Sequence, residues 1–210
     1  MKFHHSVFIG LILIFLSACG SKTPQLAPLA EDAVILAFGD SLTYGSGVSQ
    51  MQSYPAVLEK LLGRKVINAG EPGEMSAEAL PRLQELLTRH KPDLLLLCHG
   101  GNDILRKTDE NTLIDNMRAL INVARQKDVP VVLIGVPIPG PVMLNAAPLY
   151  YRVAKVFDLP YEARAIAKVL TNPKTKSDMV HPNAQGYQAI AEDVLELLRQ
   201  AGALKVTRSE

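Results

Sequence analysis

Residues 33–42 read Ala33-Val34-Ile35-Leu36-Ala37-Phe38-Gly39-Asp40-Ser41-Leu42, and the fold follows from the change of character half-way along. The apolar run has no polar face, which suits a strand covered on both sides. A glycine then ends the run, and an aspartate and a serine follow where the chain must turn. The same grammar recurs downstream. Residues 65–67 read as a short second strand, 93–98 as a third and 129–136 as a fourth. Between them the spacing is helical. Val57, Leu58, Leu61 and Leu62 share a face of a helix that begins near Pro55, is capped by Ser53 and stops at Gly63. Leu80, Leu83, Leu86 and Leu87 share a face of a helix over 76–90, with Pro92 beyond it, and a further helix covers 111–126. Residues 137–148 are irregular and proline-rich. Residues 150–157 and 161–170 read as helices with a short fifth strand at 158–160, and the closing helix covers 183–200.

Strands that alternate with helices and are apolar throughout predict the α/β class, a parallel sheet with helices on both faces. Ligands of such sheets bind beyond the carboxyl ends of the strands, so reactive residues should lie just after strands. The 210 residues suit one domain plus a targeting segment, and 48% apolar residues suffice to fill its core. A net charge of +1 leaves no electrostatic footprint for nucleic acid. No internal repeat is present, and nothing in the sequence sets an oligomeric state.

The first residues read as a targeting segment. Lys2 supplies a basic start, and residues 7–16 form an apolar stretch too short to span a bilayer. Leu16-Ser17-Ala18-Cys19 resembles the bacterial lipobox, in which cleavage precedes a cysteine that then carries lipid. The alternative is an ordinary signal peptide that happens to contain Cys19. On the lipobox reading, residues 1–18 are a lipoprotein signal peptide, 19–32 a lipidated tether with Pro24 and Pro28, and 33–205 the folded domain. Gly20 stands where an aspartate often retains such proteins at the inner membrane, which points to the periplasmic side of the outer membrane. With Cys19 acylated, Cys98 is left without a disulfide partner and reads as a buried strand thiol.

Four segments after strands carry chemistry. Gly39-Asp40-Ser41-Leu42 offers a serine hydroxyl and its backbone N–H at a strand-to-helix turn, although Gly-Asp-Ser alone is a common turn. Asn68-Ala69-Gly70-Glu71-Pro72-Gly73 offers glycine N–H groups that a ligand can approach closely, or serves only a turn. Gly100-Gly101-Asn102-Asp103 offers the Asn102 amide as a donor to a developing oxyanion, unless Asn102 is only a turn former. Asp178-Met179-Val180-His181-Pro182-Asn183 puts a carboxylate three residues before an imidazole. Pro182 there suits the first turn of the closing helix. Asp178 can then orient one ring nitrogen while the other faces Ser41, as a nucleophilic serine requires, or the two residues merely cap the helix. Asp40 and Asp103 read as braces of their turns, His90 as a surface residue, and His99 has no assigned role. No Gly-x-Ser-x-Gly elbow, no P-loop and no metal-ligand spacing occurs.

Taken together, the four segments resemble the blocks of the GDSL family and its SGNH hydrolases, over most of the chain from Val34 to about Leu198. The resemblance implies a three-layer α/β/α sandwich with a flavodoxin-like parallel sheet. It implies Ser41, Asp178 and His181 as the catalytic triad, with Ser41, Gly73 and Asn102 forming the oxyanion hole. The overall likeness is to the periplasmic thioesterase, lysophospholipase and arylesterase branch. That implies acyl esters, thioesters or lysophospholipids as substrates, with no cofactor or metal. The chain departs from the common pattern at Glu74-Met75, where relatives often have Asp-Thr, at Cys98-His99, and at Met179. Residues 142–144 (Val142-Met143-Leu144), within the proline-rich stretch, either give a mobile apolar wall for an acyl chain or form a loop that packs on the core. Two other readings are an O-deacetylase of envelope polysaccharide that uses the same triad, and a non-catalytic envelope-anchored binding protein.

Overall fold

The apolar run beginning at Ala33 becomes β1 (Val34–Gly39), an interior strand of a five-stranded parallel sheet. Ile35 to Phe38 are fully buried because helices cover both faces of the sheet. β2 (Lys65–Gly70), β3 (Leu94–Cys98), β4 (Val131–Ile134) and β5 (Tyr161–Glu162) complete it in the order β2-β1-β3-β4-β5. The chain reverses its direction of travel across the sheet between β1 and β3, and a crevice at that switch point is where such folds bind ligands. The computed structural model describes residues 23–140 and 143–204. The lipobox, Cys19 and Val142 lie outside the described residues.

The helices are α1 (Ser41–Tyr44), α2 (Tyr54–Leu62), α3 (Ala79–His90), α4 (Gly101–Leu105), α5 (Glu110–Arg125), α6 (Pro148–Phe157), α7 (Ala165–Thr171) and α8 (Ala184–Gln200). Packing of α2 and α7 on α8 builds one outer layer, and packing of α3 and α6 on α5 builds the other. The fold is therefore the α/β/α sandwich expected, with the flavodoxin-like strand order.

Several expected boundaries move, each for a local reason. The fifth strand is Tyr161–Glu162 and not 158–160, because Asp158 instead ends α6 in a left-handed conformation (φ 48°). The following helix accordingly starts at Ala165, where the Glu162 carboxylate accepts the N–H groups of Arg164 and Ala165. The helix expected from residue 76 starts at Ala79, since Ser76 is held by Asp103. β2 runs on to Gly70, three residues past Ile67. Ser53 precedes α2, but its hydroxyl donates to the Gln50 carbonyl and makes no cap bond. Pro182 is not in the first turn of α8. It pairs with Lys176 as an isolated bridge, and Asn183 is the cap, accepting the Gly186 N–H at 3.1 Å.

Part of the span 19–32 expected as a tether is packed on the domain. Leu26 and Leu29 donate backbone hydrogen bonds to Ala201 and Ala203 beyond α8, and Leu29 is buried. Packing thus begins near Leu26 and not at Ala33. This docked segment lies at the amino-terminal edge of the sheet, away from the strand ends that carry Ser41 and Asn102.

Glycine is required where β1 ends. A Cβ on Gly39 would lie 2.0 Å from the Cys98 carbonyl oxygen and 2.3 Å from Thr43 Oγ1. Only hydrogen fits there, so β1 can end flush against β3 and let the chain turn immediately into α1.

Candidate active site

Ser41 is the first residue of α1, and the turn that presents it is held by the residue before it. Asp40 is buried. Its Oδ1 accepts the Leu42 N–H and its Oδ2 accepts the Gly101 N–H, both at 3.0 Å. One side chain therefore ties the turn after β1 to the turn after β3. Burial pushes the Asp40 carboxyl up, with the two N–H donors opposing that shift. Asp103 braces in a similar way. It accepts the Ser76 N–H at 2.9 Å and the Ser76 hydroxyl at 2.7 Å, which fixes the segment after Gly73 against α4.

His181 reaches Ser41 from the loop before α8. Its Nε2 lies 3.0 Å from Ser41 Oγ, and its Nδ1 lies 2.8 Å from Asp178 Oδ2. With Nδ1–H donating to the carboxylate, Nε2 is free to accept the serine proton. The other carboxylate oxygen of Asp178 accepts the N–H groups of Val180 and His181, each at 2.8 Å. Burial works against charge on Asp178, but the His181 ring and those N–H donors outweigh it and hold the carboxyl below its usual range. The loop itself is a closed turn: Ser177 donates to the His181 carbonyl at 2.9 Å, and Asn183 donates to the Thr175 carbonyl at 3.0 Å.

Gly73 has φ 84°, a left-handed conformation that glycine adopts without strain. Asn102 sits in the first turn of α4, after Gly100 at φ 98°. One N–H of its amide donates to the Glu74 carbonyl at 3.0 Å, which fixes its orientation and leaves the second N–H for a ligand. Among the described residues the N–H groups of Ser41 and Gly73 have no protein acceptor. The structure therefore brings together Ser41, Gly73, Asn102 and His181 around one cavity, with Asp178 behind the histidine.

That cavity has a volume of about 240 Å³. Leu105, Val136, Pro137, Pro139, Leu170 and Val180 give it an apolar wall. These residues escaped the sequence reading, although Val136 and Pro137 follow β4 and the strand-end rule already pointed there. The expected wall at 142–144 does not form from the described residues: Met143 is buried in the core and Leu144 is largely exposed, and neither lines the cavity. A wider depression of about 790 Å³ lies beside the last turns of α8, among surface charges such as Lys168 and Asp193. It contains none of the reactive groups, so the chemistry belongs to the smaller cavity.

Residues 37–189 match the model of the GDSL-like lipase/acylhydrolase family. The chain belongs to that family. It is a serine ester hydrolase by that membership, and its relatives agree in kind. It is 28% identical over 195 residues to thioesterase 1/protease 1/lysophospholipase L1 of Escherichia coli (strain K12), covering 90% of this chain and 88% of that one. It is 30% identical over 198 residues to esterase TesA of Pseudomonas aeruginosa, covering 89% and 97%. A crystal structure of TesA superposes with a TM-score of 0.70 at 27% identity, covering 80% of this chain and 99% of that one.

If Asp40 joins the two turns as described, Asp40→Asn destabilises the hydrolase. An amide has one acceptor oxygen for two buried N–H donors, so one donor faces an NH₂ group. Leaving it unsatisfied costs about 1–3 kcal/mol. Thermal denaturation should show Tm lowered by roughly 2–12 °C, and an unchanged Tm would contradict the brace.

Proposed function

We propose that Ser41, His181 and Asp178 form the catalytic triad of this hydrolase, and that Ser41 N–H, Gly73 N–H and the Asn102 amide form its oxyanion hole. The observation that carries the reading is the pair of contacts on His181, 3.0 Å to Ser41 Oγ and 2.8 Å to Asp178. His181 takes the Ser41 proton as Oγ attacks the carbonyl carbon of an ester or thioester. The carbonyl oxygen gains charge and is met by the three donors, which stabilise the tetrahedral intermediate. His181 then gives the proton to the leaving alcohol or thiol, and the acyl group stays on Ser41. Water, activated by the same histidine, hydrolyses the acyl-enzyme and restores the serine.

The substrate class we propose is an acyl ester or thioester of short to medium chain, including aryl esters and lysophospholipids that carry such chains. The apolar wall of Val136, Pro137, Leu105 and Leu170 supports an acyl chain over a sugar, whose hydroxyls would find few partners there. Its volume, below the roughly 300–1,000 Å³ of sites for drug-sized ligands, supports a short chain over a long one. The names of the relatives, which include thioesterase, lysophospholipase and esterase, support an ester or thioester substrate.

We also propose that the chain is anchored through lipid on Cys19 to the periplasmic side of the outer membrane. Lys2, the apolar stretch over 7–16, Leu16-Ser17-Ala18-Cys19 and the glycine at position 20 support this. The docking of Leu26 and Leu29 beyond α8 is compatible with an anchor that precedes them in the chain.

Turnover of p-nitrophenyl esters should fall in Ser41→Ala by on the order of 10⁴-fold or more, with loss of fluorophosphonate labelling. A chain-length series on the wild type should peak at short to medium acyl groups. Undiminished turnover in Ser41→Ala would sink the triad. Cells fed labelled palmitate should transfer label to the wild-type chain and not to Cys19→Ser, and label retained by that variant would remove the anchor.

A further inference from the structure

The segment after Gly73 departs from the common family pattern at Glu74, and the segment before Gly100 departs from it at His99. In the structure these two residues meet. His99 Nε2 lies 2.8 Å from Glu74 Oε2. The Gly100 N–H donates to His99 Nδ1 at 2.8 Å, so Nδ1 carries no proton and Nε2–H is the donor to the carboxylate. The ring is wholly buried, and the Glu74 side chain is 8% exposed.

Arg82 completes the clamp. Its Nε donates to Glu74 Oε1 at 2.8 Å and its Nη2 to Oε2 at 2.5 Å, the forked geometry that fixes a carboxylate in direction as well as position. The same guanidinium donates to the carbonyls of Ala69 in β2 and Gly39 in β1, and it lies 4.0 Å over the Phe38 ring. His99 stacks on that ring as well, with centroids 5.8 Å apart. Burial opposes charge on Glu74, but Arg82 and His99 outweigh it and hold its carboxyl at about 2. Glu74 is thus tied to the carboxyl ends of β1, β2 and β3.

What the clamp holds is the backbone of the site. The Glu74 carbonyl is the acceptor that orients the Asn102 amide, and the Glu74 nitrogen continues directly from Gly73. We infer that Glu74, clamped by Arg82 and His99, is a positioning residue of the oxyanion hole, setting the directions of the Asn102 amide and the Gly73 N–H. This rests on the hydrolase reading with Ser41 as nucleophile. Glu74 is not among the residues that line the cavity. It acts through donors whose aim matters most when charge develops on the carbonyl oxygen, so it bears on kcat and leaves KM nearly alone.

The test uses Glu74→Ala and Glu74→Gln, with active sites titrated by a fluorophosphonate so that rates are counted per competent serine. The expected result for Glu74→Ala is a fall in kcat of about 10- to 100-fold, with KM changed less than about threefold. The Ki of an alkyl trifluoromethyl ketone, whose serine adduct carries an oxyanion, should rise by the same factor as kcat falls. Glu74→Gln keeps the size and one acceptor oxygen and should lie between. In an Asn102→Ala background the Glu74 substitution should cost much less, since one of the groups it aims is gone. The inference is overturned if kcat per titrated site stays within about twofold of wild type, or if the loss is equal in both backgrounds. A clamp serving stability alone would lower Tm and the titratable fraction without moving the kcat of what remains. Should the wild type itself fail to titrate, the hydrolase reading fails first; a titrating wild type with unaltered Glu74 variants overturns only the positioning role.

Discussion

The site depends on one buried carboxylate joining two turns. Asp40 follows β1, and Gly101 opens the helix after β3; the hydrogen bond between them spans the point where strand order reverses. A parallel sheet brings strand ends together but leaves their loops free to diverge. Asp40 removes that freedom, and Gly39 permits it by letting β1 end against the Cys98 carbonyl with no side chain between. Ser41 and the Asn102 amide are thereby fixed relative to each other, which is the preorganisation that the proposed electrostatic catalysis needs.

Around that join, further polar groups, buried in the case of Asp103 and partly or largely exposed in the cases of Arg82 and Asp178, hold each remaining piece. Asp103 pins Ser76, Asp178 turns His181 toward Ser41, and Arg82 gathers three strand ends through Glu74 and two backbone carbonyls. Among the described residues no buried side-chain polar atom lacks a partner. A satisfied network of this kind holds a single geometry, because each alternative would strand a group in a low-dielectric interior. The cavity wall is different in kind. Val136, Pro137, Leu105 and Leu170 offer shape without direction, so on the proposed reading selection of the acyl group is a matter of fit.

The sheet was legible because fully buried strands write themselves as unbroken apolar runs, as in Leu94 to Leu97, and because helical spacing separates them. The residues around the cavity were legible for a related reason: parallel strands send reactive groups to one edge, so Ser41, Gly73 and Asn102 could be sought just past three runs. Boundaries set by tertiary contact were not. Ser76 favours a helix start in isolation, yet Asp103 holds it outside α3, and the left-handed turn at Asp158 displaces β5. The docking of Leu26 and Leu29 was hidden too, because a segment with Pro24 and Pro28 carries no sign of the chain end it meets in space. Arg82 escaped notice because a single arginine on an amphipathic helix looks like surface, and only the fold shows that it faces the strand ends.

In the proposed oxyanion hole, donors from three separate strand ends converge on one oxygen beside Ser41. A crystal structure of the protein inactivated by an alkyl phosphonate tests it most directly, since the phosphorus mimics the tetrahedral carbon. The expected adduct has phosphorus bonded to Ser41 Oγ, with one phosphonyl oxygen about 2.7–3.1 Å from Ser41 N, Gly73 N and Asn102 Nδ2, and the alkyl group against Val136 and Leu170. An adduct on another residue, or an oxygen turned away from Gly73 and Asn102, would contradict it.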